Sequence, residues 1–227
     1  KTFFEENGLP NIYELMERGE WTWDKFREIC VQARKDLDGD GLWDQYGFAS
    51  HSAQHMLFTF FAANNASWTK TVDGREVCAF NDPEAVEALE FLVGLQSEEL
   101  MDTPTWADMQ TNFYDGKYGM IIWDLPKLGG IPKDLPYEFG IAPIPLGPRG
   151  TEYVFVERGD ARTFCIPINT KHDPGALIEL VSALYELTDP YIDTEDFWDE
   201  RVNNYAMGSF DEESVGIYAQ LPEMLRI

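Results

Sequence analysis

The stretch from Trp21 to Phe48 constrains the fold of this chain more than any other, because an amphipathic helix pattern runs directly into an aspartate-rich loop. Thr22 is suited to cap the helix, since its hydroxyl can accept a hydrogen bond from a free backbone N–H of the first turn. Apolar residues recur at spacings of three and four, and they are Phe26, Ile29, Cys30 and Ala33. The sequence therefore predicts a helix with one buried face that ends before the glycines of the loop.

The loop places carboxylates at positions one, three, five and nine of a possible calcium-binding loop, with glycine at position six. These residues are Asp36, Asp38, Asp40, Asp44 and Gly41, and the carbonyl of Leu42 stands at position seven. Ca²⁺ requires several oxygen ligands that converge from one short segment, and glycine permits the sharp turn. Position twelve is Gly47, so the bidentate glutamate of an EF-hand is missing. We predict a structural Ca²⁺ site here; the alternative is an exposed turn whose aspartates bond their own backbone.

The composition indicates a globular protein with a strongly acidic surface. Among 227 residues, 44% are hydrophobic, and 41 acidic against 17 basic residues give a net charge of −24. Such a surface repels phosphate backbones and anionic lipid headgroups, which argues against nucleic-acid and membrane-surface partners. No run of about 18 apolar residues is present that could cross a membrane.

Three cysteines, Cys30, Cys78 and Cys165, lie far apart and form no CxxC pair. This spacing excludes a zinc site built from cysteines and allows at most one disulfide. Cys30 lies on the apolar helix face and Cys165 in a strand-like run, so we predict buried free thiols.

Helices and strands are predicted to alternate, which places the chain in the α/β class. Strands are expected at 45–50, 117–123, 137–145 and 162–168, and a hairpin at 67–80 with its turn at 72–75. Asp82-Pro83 and Asp173-Pro174 are typical helix starts. The segment LGPRGTE, from residue 146, reads as a linker because it is rich in glycine and proline.

Several motifs follow one another in an order that resembles the family 1 extracellular solute-binding proteins of ABC importers, the group that includes the maltose-binding protein. The motifs are WTWDKF, DLDGDGLWDQYG, NDPEAVEAL, FYDGKYGMIIWD, FGIAPIPLGPRG and INTKHDPGALIEL. The family's fold has two α/β lobes joined by crossing segments, with the ligand held between them. The resemblance implies a non-enzymatic, extracytoplasmic protein, often a lipoprotein, that captures a carbohydrate and delivers it to a membrane permease.

The resemblance also implies how the chain is divided. Residues 1–146 would form the second lobe, residues 147–190 would pack with the first lobe, and residues 191–227 would return to the second lobe. A first lobe would be absent from this sequence. Without it, the chain is expected to expose apolar surface in residues 147–190, to pack differently or to dimerise.

Sugar recognition requires flat apolar faces beside a few polar groups, which directs attention to aromatic residues next to carboxylates and amides. Trp123 and Asp124 end a buried strand pattern, at a position that resembles the family's cleft-facing loop. His51, Gln54 and His55 head an apolar helix that resembles another cleft-lining segment. The two histidines, four residues apart, could in principle bind a metal, but no third ligand accompanies them, so solvent-facing or capping roles are favoured over ligation. Trp106 has no context in the sequence that sets it apart from an ordinary surface or core aromatic residue.

Two other classes of function remain open at this stage. One is a calcium-containing carbohydrate-active enzyme, and the other is a calcium-stabilised structural or adhesive module. The sequence contains no G-x-S-x-G elbow, no P-loop and no dinucleotide-binding glycine pattern. The number of carboxylates is no evidence for a glycosidase, because so many acidic residues place two at catalytic separation by chance.

Overall fold

The computed structural model describes residues 1–123, 131–132, 135–156, 165–186 and 212–226. In chain order the helices are α1 (Thr2–Glu6), α2 (Ile12–Glu17), α3 (Trp23–Ala33), α4 (Ala53–Ala63), α5 (Pro83–Ser97), α6 (Trp106–Tyr114), α7 (Pro174–Glu186), α8 (Glu212–Ala219) and α9 (Leu221–Met224). The strands are β1 (Tyr46–Ala49), β2 (Thr69–Val72), β3 (Arg75–Cys78), β4 (Met101–Asp102), β5 (Tyr118–Ile121), β6 (Phe155–Val156) and β7 (Leu225–Arg226). The predicted α/β class is confirmed.

A parallel sheet with the order β4-β1-β5 forms the centre of the fold. Strand β1 is in the middle because the chain leaves it through α4 and α5 to reach β4 on one side, and then returns through α6 to β5 on the other side. Parallel strands need such crossovers, and helices then cover both faces of the sheet. All three strands point the same way, so their carboxyl ends meet at one edge.

The larger core lies on the face covered by α3, α4 and α5. Phe26 of α3 contacts Phe48 of β1 edge-to-face, with ring centroids 5.1 Å apart, and Trp23 stacks on Phe91 of α5 at 4.6 Å. The predicted cap is confirmed, since the Thr22 hydroxyl accepts from the backbone N–H of Lys25 at 3.4 Å. The apolar period of α3 therefore packs as the sequence predicted.

A second, smaller cluster lies on the opposite face of the sheet, under α6. Phe48 and Ala49 are neighbours in β1, so their side chains point to opposite faces. Phe48 belongs to the larger core, whereas Ala49 packs with Met109 of α6 and Tyr118 of β5. Helix α6 is held at its start by Thr105, whose hydroxyl accepts from the Asp108 N–H at 3.2 Å.

The predicted hairpin is confirmed, with antiparallel pairing from Thr69↔Cys78 to Val72↔Arg75. Asp73 and Gly74 both have positive φ, at 51° and 75°. Positive φ at both central residues matches the right-handed twist of paired strands, which explains why an Asp-Gly pair forms this turn.

Two predictions from the sequence were wrong, and a third was wrong in the part that the structure describes. The predicted strand at 137–145 forms no strand: the backbone of Glu138 bonds Thr2 and the Ile141 N–H donates to Ser214, while Pro143 and Pro145 have no N–H to donate to a ladder. Cys165 is exposed and so is Cys78, and only Cys30 is buried, where burial raises the pKa of its thiol. Part of the predicted strand at 162–168 lies outside the described residues, and the described part, 165–168, is not in a strand.

The end of the chain packs against its beginning. The Ser214 hydroxyl of α8 accepts from the Ile141 N–H at 3.1 Å and lies 2.9 Å from the Tyr13 hydroxyl. Strand β7 pairs in parallel with β6, in the register Phe155↔Leu225. Helix α7 differs from these segments, because its described side chains are largely exposed. Exposed apolar residues in and before it are Ile168, Ile178, Leu180 and Leu184.

No helix within the described part of the chain combines the length and the apolar character that crossing a bilayer demands.

Candidate ligand-binding site

The parallel sheet brings residues from three separate segments to its carboxyl edge. His51 follows β1 by two residues, Trp123 follows β5 by two residues, and Trp106 begins α6 shortly after β4. In open α/β sheets, ligands bind outside the carboxyl ends of the strands, where the strand order reverses. The order β4-β1-β5 reverses at β1, so this edge is the position at which such a fold holds a ligand.

Aromatic rings at this edge form one continuous group, which we call the edge cluster: His51, Trp106, Tyr114 and Trp123. Ring centroids lie 4.7 Å apart for His51 and Trp106, 5.7 Å for Trp106 and Trp123, and 6.0 Å for Tyr114 and Trp123. The first two pairs are edge-to-face, an arrangement that the ring quadrupoles favour. The rings therefore hold each other in fixed orientations.

Trp123 combines an indole N–H that is unpaired within the described part of the chain with a position at the carboxyl edge of the sheet. Its ring is half-buried, and its indole nitrogen is buried without a hydrogen-bond acceptor among the described residues. Trp21 donates to the Pro143 carbonyl at 2.9 Å, and Trp43 donates to Glu99 at 3.0 Å. Trp23, in the larger core, also has a buried indole nitrogen without an acceptor among the described residues, but it does not lie at the carboxyl edge of the sheet. A buried donor with no acceptor costs about 1–3 kcal/mol, so the position of Trp123 favours an acceptor from outside the described chain.

The helix that follows β1 supplies the other predicted residues. Ser52 caps α4, since its side chain accepts from the His55 N–H at 3.3 Å. His55 is only 8% exposed and its ring lies 5.1 Å from that of His51. His55 is thus neither solvent-facing nor the cap, which corrects that alternative. Gln54 is exposed in the first turn of α4.

The rings of His55, His51, Trp106 and Trp123 therefore lie in successive contact, in that order, and Gln54 lies at the surface. Asp124 lies outside the described residues. Sequence reasoning missed Trp106 and Tyr114, which no local motif distinguishes. A signal was available in the sequence, because Trp106 comes five residues after the apolar residue Met101, with which β4 begins.

A polar network supports the edge cluster from inside the lobe. The buried Tyr118 hydroxyl donates to the Asp102 carboxylate at the end of β4, and the Asn112 amide donates to the Tyr118 oxygen at 2.9 Å. Burial, followed by the bond to Asp102, raises the pKa of Tyr118. The hydroxyl therefore remains protonated, so Asp102 keeps a donor and β4 stays joined to β5.

At the opposite end of β1, the aspartate loop bonds its own backbone. Asp36 accepts from the N–H groups of Gly39 at 2.7 Å and Gly41 at 2.9 Å, and Asp38 accepts from Asp40 at 3.0 Å. Asp44 accepts from Leu37 at 2.7 Å. These bonds are those expected of the alternative prediction, the exposed turn. They leave further lone pairs on each carboxylate, so they are compatible with an ion as well.

Three carboxylate oxygens, from Asp36, Asp38 and Asp40, lie within 4.8 Å of one another. Ca²⁺–oxygen distances of about 2.3–2.6 Å place two ligands up to about 5 Å apart, so the group fits the ion. Asp44 is not a member of this group. Gly47, at position twelve, lies in β1 against α3, where an added Cβ would be 2.7 Å from Cys30 Cα. Close packing of helix on strand therefore excludes a ligand from that position.

Comparison with known proteins identifies the family. The family model described as "Bacterial extracellular solute-binding protein" matches residues 1–185. The chain belongs to this family. The resemblance inferred from the sequence is thereby confirmed, and the family consists of binding proteins. A search of curated proteins gave no significant match.

Solved structures show the same fold. A cyclo/maltodextrin-binding protein in complex with maltotetraose matches with a TM-score of 0.53 and 16% identity, over 90% of this chain and 52% of that one. Two other matches are more limited in extent. One is the maltose/maltodextrin-binding domain MalE from Bdellovibrio bacteriovorus bound to maltotriose, with a TM-score of 0.49, 20% identity and coverage of 57% of this chain and 34% of that chain. The other is UspC from M. tuberculosis, with a TM-score of 0.45, 24% identity and coverage of 57% and 35%.

This chain therefore spans about half of the cyclo/maltodextrin-binding protein and about a third of the other two. At these identities the likeness concerns the fold, and the first match is the one that carries it.

Proposed function

We propose that this chain belongs to the substrate-binding component of an ABC importer, and that it captures a carbohydrate between two lobes without making or breaking bonds. The observation that carries the proposal is the edge cluster, in which a half-buried tryptophan with an unsatisfied buried indole N–H lies at the carboxyl edge of a parallel sheet. Sugars present flat C–H faces that pack on aromatic rings, and hydroxyls that accept and donate hydrogen bonds.

Each member of the edge cluster has a defined part in this proposal. Trp123 offers a ring face to the sugar and its N–H to a sugar oxygen. Trp106 and Tyr114 hold the indole in place, at 5.7 Å and 6.0 Å between centroids. His51 and His55 extend the surface toward α4, where the exposed Gln54 is placed to bond a hydroxyl. Rings that are already fixed lose little conformational freedom on binding, which favours capture.

Maltotetraose is the logical first ligand to test, because the matched cyclo/maltodextrin-binding protein is in complex with it. The Asp102 carboxylate already accepts hydrogen bonds from the Tyr118 hydroxyl and, at 2.8 Å, from the Thr103 N–H. The rings of the edge cluster carry no net negative charge, so this surface is suited to an uncharged saccharide.

The exposed apolar residues of α7 are consistent with contact to a second lobe. Ile178, Leu180 and Leu184 expose more than half of their surface, and these residues fall within 147–190, the segment proposed to pack on a first lobe. Leu180 and Leu184 are four residues apart and share one face of the helix, and neighbouring exposed apolar residues are typical of an interface. We propose that the first lobe covers them in the complete protein, where the protein acts outside the cytoplasm and passes its ligand to a permease.

The test compares two tryptophans in the complete natural protein. Trp123→Ala should weaken maltotetraose binding by about 2 kcal/mol, a roughly thirtyfold rise in Kd by calorimetry, since buried tryptophans dominate binding energies. Trp43→Ala is the matched control, because Trp43 lies in the aspartate loop at the other end of β1.

Equal affinity in the wild-type protein and the Trp123 variant would refute the role of the edge cluster. Release of new reducing ends from the oligosaccharide would refute the non-enzymatic proposal. A panel of other neutral saccharides measured in the same way would identify the ligand class if maltotetraose does not bind.

We also propose that the aspartate loop binds Ca²⁺ as a structural ion. The oxygens of Asp36, Asp38 and Asp40 support this, together with the carbonyl of Leu42 and with Asp44 if the loop tightens around the ion. The ion would neutralise clustered carboxylates and fix the connection from α3 to β1. Binding to the folded state alone stabilises it by mass action, by about 2.7 kcal/mol at a hundredfold excess over Kd.

The ion is tested on chelator-treated protein by calorimetric titration with Ca²⁺ and by the melting temperature. Asp38→Asn removes the charge but keeps an acceptor for the Asp40 N–H, so it should abolish the Ca²⁺-dependent rise in melting temperature without disrupting the loop. Asp73→Asn, in the hairpin turn, is the matched control. If Ca²⁺ gives the wild-type chain neither a heat of binding nor a rise in melting temperature, the loop is an exposed turn that bonds its own backbone, and the Ca²⁺ proposal is wrong.

A further inference from the structure

The segment that the sequence presents as a linker is fixed to the lobe at its beginning. Leu146 lies beside the start of α3: its N–H donates to the Trp21 carbonyl at 3.0 Å, and its carbonyl accepts from Trp23 at 2.9 Å. The next residue, Gly147, donates to the carbonyl of Ala63 at the end of α4, also at 2.9 Å. We call residues 146–150, together with Asn64 and Glu87 that hold them, the crossover junction.

Asn64 is the centre of the crossover junction. It directly follows α4, it is fully buried, and its side-chain oxygen accepts from the Arg149 N–H at 2.9 Å. Its amide donates to the Glu84 carbonyl at 2.8 Å and to the Glu87 carboxylate at 3.1 Å, both in α5. One buried side chain therefore ties the end of α4, the first turns of α5 and the crossing segment together.

Arg149 adds a second connection from the surface. Its guanidinium bonds both oxygens of Glu87, at 2.8–3.0 Å, and lies 3.3 Å from Glu84. The carbonyl of Arg149 accepts from the Asn65 amide at 2.6 Å. An exposed ion pair alone contributes little, but a guanidinium that bonds both carboxylate oxygens also fixes direction.

Two glycines let the backbone come this close. An added Cβ at Gly147 would stand 2.5 Å from the Asn64 side-chain oxygen and 2.8 Å from the ring of Trp23. A Cβ at Gly150 would overlap the carbonyl oxygen of Ala63. The glycines thus serve close packing here, and they do not indicate a flexible linker.

We propose that Asn64 is a positioning residue for ligand capture: it fixes residues 146–150 to this lobe and so sets the direction in which the chain continues toward the other lobe. The inference rests on the proposed function, because it assigns the fixed end of the connection between the two lobes. A fixed end limits the range of relative lobe orientations in the open state, from which the ligand must bring the two lobes together. Loosening it increases the entropy lost on closure and weakens capture, without a change in any residue that touches the ligand.

The first measurement is amide hydrogen exchange on this chain. In Asn64→Ala, the exchange of the Arg149 and Gly150 amides should accelerate at least tenfold, while the amides of β1 keep their protection. Arg149→Gln keeps the Asn64 bond to the backbone, so it should accelerate exchange less. Arg18→Gln is the matched control, because Arg18 also bonds two glutamates, Glu14 and Glu20, outside the junction.

The second measurement uses the complete natural protein with spin labels at two exposed positions, Ser97 on α5 and Ala183 on α7. Without ligand, Asn64→Ala should broaden the distance distribution between the labels, and the Kd for maltotetraose should rise about tenfold, within the usual range of coupling between distant sites. A residue that served stability alone would lower the melting temperature and leave both the distances and the Kd unchanged. If Asn64→Ala does not fold, Arg149→Gln takes its place with smaller shifts in the same directions.

Protected Arg149 and Gly150 amides in Asn64→Ala would overturn the inference, and so would an unchanged distance distribution. The proposed function can fail independently of this inference. If the wild-type protein binds no saccharide, the proposed function is wrong, and the exchange and distance measurements still decide the role of Asn64.

Discussion

The aspartate loop and the crossover junction are both short, polar and glycine-containing, yet they are built in opposite ways. In the loop, residues 36–44 bond each other, the side chains are largely exposed, and Gly39 and Gly41 adopt φ of 80° and 89° with open space around them. In the junction, the bonds reach residues about 85 positions away, and the glycines are surrounded by atoms.

The same residue types therefore have two different functions in this chain. Glycine in the loop supplies a backbone conformation that other residues adopt only with strain. Glycine in the junction supplies space. The loop is stable as a local unit that offers oxygens to solvent or to an ion, whereas the junction is stable because three segments meet. This difference can be tested by matched substitutions in the two regions.

The largest difference in lost stability is expected between two glycine substitutions, one in the junction and one in the loop. Gly150→Ala places a Cβ against the carbonyl of Ala63, and because backbone must move, we expect a loss of about 3 kcal/mol in the free energy of unfolding. Gly41→Ala meets no atom and costs only the left-handed backbone, about 1 kcal/mol. Urea unfolding of both variants measures the two values. Equal losses would mean that the junction relaxes as easily as the loop.

A smaller difference is expected between two tryptophans whose indole N–H groups both have acceptors. Trp21→Phe leaves the buried Pro143 carbonyl without its donor, beside the junction, and should cost about 2 kcal/mol. Trp43→Phe in the loop loses an exposed bond to Glu99, while Arg34 can still lie over the phenyl ring; we expect about 0.5 kcal/mol. Chemical unfolding at neutral pH compares the two. A larger loss in the loop would show that its surface contacts carry more of the stability than their exposure suggests.

The sequence predicted most of the elements that depend on local patterns. The apolar period of α3, the Asp-Gly turn of the hairpin and the Asp-Pro start of α5 each lie within a few residues, so the physical cause is present in the segment itself. The strand predicted at 137–145, with its stop at Pro143, did not form because the backbone groups of Glu138 and Ile141 bond Thr2 and Ser214, which are remote in the sequence.

The candidate site was predicted only in part, for a similar reason. Trp123 could be singled out because it ends an apolar strand pattern, and His51 because it heads a helix. Their proximity to Trp106 depends on the parallel pairing of β1 with both β4 and β5, which no local pattern specifies. Asn64 was overlooked because its partners, Glu87 and Arg149, are remote in the sequence.

The smallest expected effect is the pH dependence of the stability that the crossover junction contributes, and this effect tests the junction most directly. The side-chain bond from Arg149, followed by that from Asn64, lowers the pKa of Glu87. A lowered pKa in the folded state means that this interaction contributes its full stability above the ordinary glutamate pKa of about 4.3, and loses it as the pH falls through the lower folded value. Arg149→Gln should therefore be less stable than wild type at pH 7, and the difference should shrink toward pH 3.

Urea unfolding of both proteins at several pH values, at low and at 1 M salt, measures this difference. Salt should reduce it at neutral pH, because the ion pair is exposed to solvent. Arg18→Gln serves as the control for removing an arginine that bonds two exposed glutamates. A difference that persists unchanged to pH 3 would mean that the guanidinium holds the junction by packing and by its contacts to neutral groups, and that the charge of Glu87 adds nothing to the connection that Asn64 and the backbone bonds make.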